Sequence, residues 1–348
     1  MATLRSLLLE NRNAPGDVLV MTSAVRALHT AYPGEYQTFV ASFCPDIWKH
    51  NPLVTVGTPP AGTLHLNLSY TRGINNANLT KTHFSSGFTL DLATKLRRNL
   101  RVSDIRPHVV LTDNEGPVHG LEPYSYWVVM VGGKQDFTAK LWGSRRWQAL
   151  VDLLPGIKWV QAGHLGPTSI QKSLKNVVNL LGKTNFRQFL RLIAYSRGVV
   201  CPVTCGMHAA AAFNRPCVVV AGGREPWWWE AYTKASWREN CGTTPPSDFV
   251  PHAYLHTIGR LPCCDTGGCW KSHVDARKGH SCVDLVRKAV ERVPHCLDMI
   301  TPERVAEAVL GYERGELPPE DPIPEHLGPV LRYTENPVLD SKPTGGIQ

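Results

Sequence analysis

Residues 6–34, SLLLENRNAPGDVLVMTSAVRALHTAYPG, carry the pattern on which the fold turns. Ser6–Leu9 is a short apolar run bounded by polar residues and predicts a buried strand. The polar loop Asn11–Gly16 follows. From Asp17 to about Ala31 the sequence predicts an amphipathic helix, stopped by Tyr32-Pro33-Gly34. Strand, tight turn and helix in that order open a βαβ unit.

The alternation continues. Tyr36–Ala41 and Leu64–Leu68 read as strands, Asp46–His50 as a helical turn stopped by Pro52, and His83–Asn99 as a helix with a basic segment, Lys95–Arg98. Near residue 120 the pattern restarts. Strands are expected at Tyr124–Val131, Lys158–Gln161, Val177–Leu181, Val199–Cys201 and Val218–Ala221, and helices at Trp147–Leu154, Phe186–Ala194 and Met207–Ala212. Two such series predict the α/β class: two facing Rossmann-like domains with parallel sheets, spanning 1–120 and 121–315. Ligands of such sheets sit at the carboxyl ends of the strands. Beyond Gly222 come Trp227-Trp228-Trp229 and a Cys-rich segment, 260–298, with helices expected at Val283–Arg292 and Thr301–Leu310. A Pro/Gly-rich tail, 316–348, closes the chain.

Composition bounds the function. A chain of 348 residues with 43% hydrophobic content has material for two α/β cores, and 19% charged residues exclude disorder by composition. A net charge of +8 suits nucleotide phosphates, an anionic membrane surface or nucleic acid, and equally an ordinary basic surface. With no apolar run of about 18 residues, no transmembrane segment is expected. The N-terminus lacks a signal-peptide cleavage pattern, so the expected location is cytoplasmic. Among the 10 cysteines, Cys201 and Cys217 lie in apolar runs as core residues. Cys263, Cys264, Cys269, Cys282 and Cys296 cluster with His273, His280 and His295. That set reads as a structural zinc site, as disulfides or as packing thiols.

The residues suited to chemistry lie at strand-to-helix turns. Asn13, Gly16 and Asp17 place an acid at a helix N-terminus beside the first strand, as a functional carboxylate or simply as a cap. Lys140, in a loop with Arg145 and Arg146, suits a diphosphate, or is a solvated basic loop. Thr204, Cys205, Gly206, Met207 and His208 form a small-residue turn opening an alanine-rich helix, which lets a backbone approach phosphate. Gly222, Gly223 and Glu225 form another glycine turn, with an acid placed for a ribose hydroxyl.

In this order the motifs resemble the bacterial ADP-heptose:lipopolysaccharide heptosyltransferases. The resemblance runs through Gly16-Asp17-Val18-Leu19, Thr22, Arg26-Ala27-Leu28, Tyr32-Pro33, the Lys140 loop with Trp147, and Gly182-Lys183-Thr184 with Phe186–Ala194. It continues through Thr204 to His208, Arg215-Pro216, Gly222-Gly223, Cys296 and Ile300 to Val305. It implies a GT-B fold with an acceptor-side first domain and a nucleotide-sugar-binding second domain, transferring a sugar with inversion and without a catalytic metal. It makes Asp17 the catalytic base, puts Asn13 and Gly16 on the acceptor side, and gives Lys140 and the turn from Thr204 to His208 the donor phosphates. Val203 departs from the family's Asp before that threonine, and Gly222–Trp227 from its usual loop, so the donor need not be ADP-heptose. The implied acceptor is a lipopolysaccharide-type glycan, and the basic charge also allows peripheral membrane contact. The basic and aromatic segments also allow DNA with a hydroxymethylated base, which would have to be exposed to reach the aspartate. A third reading is a non-catalytic binder of sugar nucleotides or nucleic acid.

Overall fold

The computed structural model describes residues 4–69, 80–275, 277–288, 291–317 and 321–322. In the first sheet β1 (Arg5–Asn11) lies between β2 (Tyr36–Ser42) and β3 (Leu64–Asn67), parallel to both. Leu7 and Leu9 are buried and alternate with less buried neighbours, the period of a strand packed on one face. That face receives α1 (Pro15–Ala31). The helix begins at Pro15 rather than Asp17. Proline needs no N–H partner in the first turn, and the Ala14 N–H donates to the Asp17 carboxylate at 3.1 Å. Helix α2 (Phe84–Leu96) packs beside α1.

The second sheet has six parallel strands in the order β11-β10-β9-β4-β6-β8, namely Ala253–His256, Cys217–Gly222, Gly198–Pro202, Trp127–Val129, Trp159–Gln161 and Val178–Asn179. β5 (Gly133–Lys134) and β7 (Ser169–Ile170) form a separate short antiparallel pair. The strand first in sequence, β4, lies inside the sheet. The chain builds outward on one side through β6 and β8, then returns to add β9, β10 and β11. The reversal between β4 and β9 opens a crevice at their carboxyl ends. The Lys140 and Thr204 turns leave the sheet there. Around it lie α3 (Ser144–Leu153), α4 (Phe186–Ala194), α5 (Cys205–Ala212), α6 (Trp227–Glu230) and α7 (Lys234–Cys241). Asn185 caps α4 through the Gln188 N–H, and Gln188 answers at the Asn185 N–H.

The halves are tied by a buried ion pair. Arg187 on α4 donates to both oxygens of Glu115 at 2.6 and 2.5 Å, to the Asp46 carbonyl at 2.9 Å and to the Val110 carbonyl at 2.5 Å.

The C-terminal region corrects one expectation. The described residues of 283–292 do not form the expected helix: β12 (Leu285–Lys288) and β13 (Glu291–Pro294) pair antiparallel, with Val286 opposite Val293. The apolar residues there do not make one helical stripe, for Val283 is 81% exposed and Val293 only 1%. α8 (His295–Asp298) and α9 (Pro302–Glu313) follow, and Thr301 caps α9 at the Arg304 N–H. Beyond Glu316-Leu317 and Asp321-Pro322 the tail lies outside the described residues. Among the described residues no helix is long and apolar enough to cross a membrane.

Candidate active site

The turn after β1 meets the turn after β9. A Cβ on Gly16 would lie 3.2 Å from the His208 ring and 3.6 Å from Cys205 Cα, so glycine is what lets α1 close on α5. That approach carries Asp17, 9% exposed, into the second domain's field, where it bears electrostatically on Glu230. Asn13 bonds locally, its N–H donating to Asn11 Oδ1 at 3.0 Å.

Lys140 ends a 3-10 turn, Gln135–Lys140. Its Nζ lies 2.6 Å from Glu225 Oε1 and 3.3 Å from the Val203 carbonyl. The Val203 side chain is buried, so this position gives the site a carbonyl and no acid. Arg224 also pairs with Glu225, donates from Nε to the Lys271 carbonyl at 2.6 Å, and lies 5.0 Å from the Phe137 ring. Glu225 thus meets two cations, and its Oε2 is buried without a hydrogen-bond partner.

Thr204 occupies the N-cap of α5 without capping it by its side chain. Its hydroxyl donates instead to the Pro202 carbonyl at 3.3 Å. The first N–H groups of α5 thus lack a side-chain acceptor, an electropositive end suited to an anion. Gly206 backs onto Met130, and Met207 is core. Burial pushes the Cys205 thiol up to about 12. His208 is buried, and its Nδ1 shares a hydrogen bond of 2.8 Å with the Tyr232 hydroxyl. Burial first, then neighbouring His83, holds its pKa well below the ordinary value, so the ring is neutral.

Gly222 and Gly223 serve a different neighbour. Gly222 has φ +66°, and a Cβ there would meet Leu297 at 2.8 Å. One on Gly223 would meet Cys264 Sγ at 2.8 Å. The Gly223 carbonyl accepts the Cys269 N–H at 3.1 Å. The pair is a seam against the Cys-rich segment, while Glu225, two residues on, faces Lys140. All ten cysteines are free thiols. Burial raises Cys263 to about 11 and Cys296 to about 12 and also raises Cys269 and Cys282. The segment's thiols lie around the Gly223 turn, but no three His, Cys, Asp or Glu side chains among the described residues converge as a metal-ligand set.

Glu230, Arg224 and Tyr232 are the site residues that sequence reasoning missed. Glu230 closes the tryptophan run at α6, where the one available signal was an acid ending three apolar residues. It is 7% exposed, with Oε2 4.0 Å from His208 Nε2. Burial, then Glu225, raises its pKa to about 8.

Comparison with known proteins places this geometry. Residues 121–244 match the glycosyltransferase family 9 (heptosyltransferase) profile. The iron-containing dodecameric glycosyltransferase TibC of enterotoxigenic E. coli H10407 is 16% identical with TM-score 0.57, over 90% of this chain and 77% of TibC. A family 9 glycosyl transferase from Veillonella parvula DSM 2008 is 13% identical with TM-score 0.58, over 90% of this chain and 98% of that one. TibC has also been solved in complex with ADP-D-beta-D-heptose. No curated protein matches the sequence. The profile match lies across the second sheet and makes residues 121–244 a glycosyltransferase family 9 (heptosyltransferase) domain, while the GT-B-like fold of TibC and of the Veillonella protein extends over 90% of the chain.

Proposed function

We propose that this chain is an inverting, metal-independent glycosyltransferase of the cytoplasm, moving a sugar from a nucleotide-sugar donor to a glycan hydroxyl. One observation carries the reading: the Gly16–His208 contact sets the Asp17 turn against the N-terminus of α5, and Asp17 and Lys140 both act on Glu230 beside it. A hydroxyl is a weak nucleophile. Asp17 takes its proton as the oxygen attacks the anomeric carbon, on the face opposite the leaving diphosphate. The charge that grows on the departing nucleoside diphosphate meets Lys140 and the first N–H groups of α5. Fixed cations and dipoles answer that charge without a divalent ion. Substrates reach the site as α1 and α5 part, and closure then excludes water.

The test is a melting-temperature screen against ADP-, UDP-, GDP- and CMP-sugars, since a ligand held by the native state raises the midpoint by mass action. ADP-D-beta-D-heptose, the ligand of TibC, is the first to try. A stabilising nucleotide sugar is the expected result, and none among the four classes overturns the reading.

Lys140→Ala is expected to weaken nucleotide-sugar binding about tenfold or more, the scale of a lost charge-assisted hydrogen bond. Acceptor affinity should hold. Calorimetry with the donor checks this, and an unchanged affinity with unchanged turnover returns Lys140 to the surface.

For the cysteine segment we propose a structural role, with zinc as the metal to test. The thiols must turn to form a ligand set. About one equivalent of zinc by elemental analysis, with loss of stability in chelator but unchanged nucleotide affinity, is the expected result. Metal-free protein that keeps its stability in chelator leaves packing thiols.

A further inference from the structure

Glu230 has no part in the transfer steps above, yet it is a buried acid at the point where the two domains meet. Its Oε2 is buried and has no hydrogen-bond partner, and the His208 ring nitrogen at 4.0 Å is beyond bonding distance. A buried carboxyl oxygen without a partner is costly. The charged and titratable groups around it come from several elements: Asp17 on α1, Lys140 on the 3-10 turn, Arg224 and Glu225 in the loop before α6, His208 on α5 and Tyr254 on β11. Beyond these, His83 at the N-cap of α2 and His252 before β11 stack edgewise on Tyr232, which holds the other nitrogen of His208.

This environment decides what can bond Glu230. Lys140 and Arg224 are both engaged with Glu225, so neither cation closes on Glu230. With the phosphates held at Lys140 and the α5 N-terminus, a further anion beside Glu230 would only add to the charges of Asp17 and Glu225. A neutral hydroxyl can both donate to and accept from a carboxyl, and the donor's sugar is the neutral, hydroxyl-rich part of the substrate. On the nucleotide-sugar reading, with phosphates at the α5 N-terminus and Lys140 and the acceptor hydroxyl at Asp17, the sugar lies between them, and Glu230, 4.0 Å from His208 of α5 and in the field of both Asp17 and Lys140, belongs to the same cluster.

We propose that Glu230 hydrogen-bonds a hydroxyl of the donor's sugar and so sets which sugar the site takes. This rests on the nucleotide-sugar reading above. A site built to bond a hydroxyl rejects sugars that lack it, because the carboxyl is then left buried and unpaired. At neutral pH the carboxyl is protonated, since burial and Glu225 hold its pKa near 8, so its O–H serves as donor.

The test uses the nucleotide sugar that most stabilises the wild-type protein, with the matching nucleoside diphosphate as control, titrated into wild type, Glu230→Gln and Glu230→Ala. Glu230→Ala should weaken nucleotide-sugar binding about tenfold or more, the scale of a lost buried hydrogen bond, and leave nucleoside diphosphate affinity within about twofold. Glu230→Gln, which keeps a donor and an acceptor, should bind near wild type at pH 7. Wild-type affinity for the nucleotide sugar should fall as pH rises through about 8, and that fall should vanish in Glu230→Gln. Equal weakening for diphosphate and nucleotide sugar in the alanine variant, or unchanged affinity and sugar preference in both variants, overturns the role of Glu230 while the transferase reading stands. A wild-type protein stabilised by no nucleotide sugar overturns both.

Discussion

Asp17→Asn is expected to fold, to bind the nucleotide sugar, and to lose about two to four decades of kcat. The amide keeps an oxygen in the place of the carboxylate, so the Ala14 N–H that now donates at 3.1 Å retains its acceptor and α1 keeps its start. Only basicity is removed. The acceptor hydroxyl must then lose its proton to water, a poor base in a closed site. The readout is kcat at saturating donor and acceptor, with calorimetry showing preserved donor affinity and a melting curve showing preserved fold. A near-wild-type kcat removes Asp17 from the chemistry and leaves it a capping residue.

Arg187→Ala is expected to destabilise the protein by about 3–5 kcal/mol, the scale of breaking a buried ion pair from one side. Arg187 is 6% exposed and serves Glu115, Asp46 and Val110 together, so its loss takes the guanidinium from a buried acid and two carbonyls at once. The contribution depends on pH in a definite direction. Hydrogen bonds from Arg187 hold the Glu115 pKa down to about 2. The stabilisation is therefore complete above the ordinary glutamate pKa near 4.5 and is lost as pH falls from there toward about 2. Urea midpoints at pH 7 and pH 3 check this: the gap between wild type and variant should be wide at pH 7 and narrow at pH 3. A gap that does not change with pH would show that packing of the side chain, rather than its charge, does the stabilising.

Much of the framework was legible along the chain, because it depends on neighbours in sequence. Leu7 and Leu9 alternate with less buried residues, so a strand was readable. Phe186–Ala194 was readable to the residue, because Asn185 and Gln188 cap it locally and its apolar stripe is regular. Asp17 and Lys140 stood out because each sits at a strand-to-helix turn, where a parallel sheet opens toward its ligand.

Other features were decided by tertiary structure. Residues 283–292 mix apolar and charged side chains at spacings that a helix or a hairpin can use; pairing of Val286 with Val293, and burial of Val293 but not Val283, made the hairpin. The Gly222-Gly223 turn looked like a ligand turn, yet it needs glycine because Cys264 and Leu297, far along the chain, press on it. Glu225 met Lys140, and Glu230 met His208, only when strands β4, β9 and β10 set their loops side by side. The sequence by itself determined the α/β framework and the turns that carry Asp17, Lys140 and Thr204, since strand period, capping and turn chemistry act within a few residues. The partners of each acid, and with them the charge state of Glu230, were left to tertiary structure, because burial and field depend on side chains that only folding brings together.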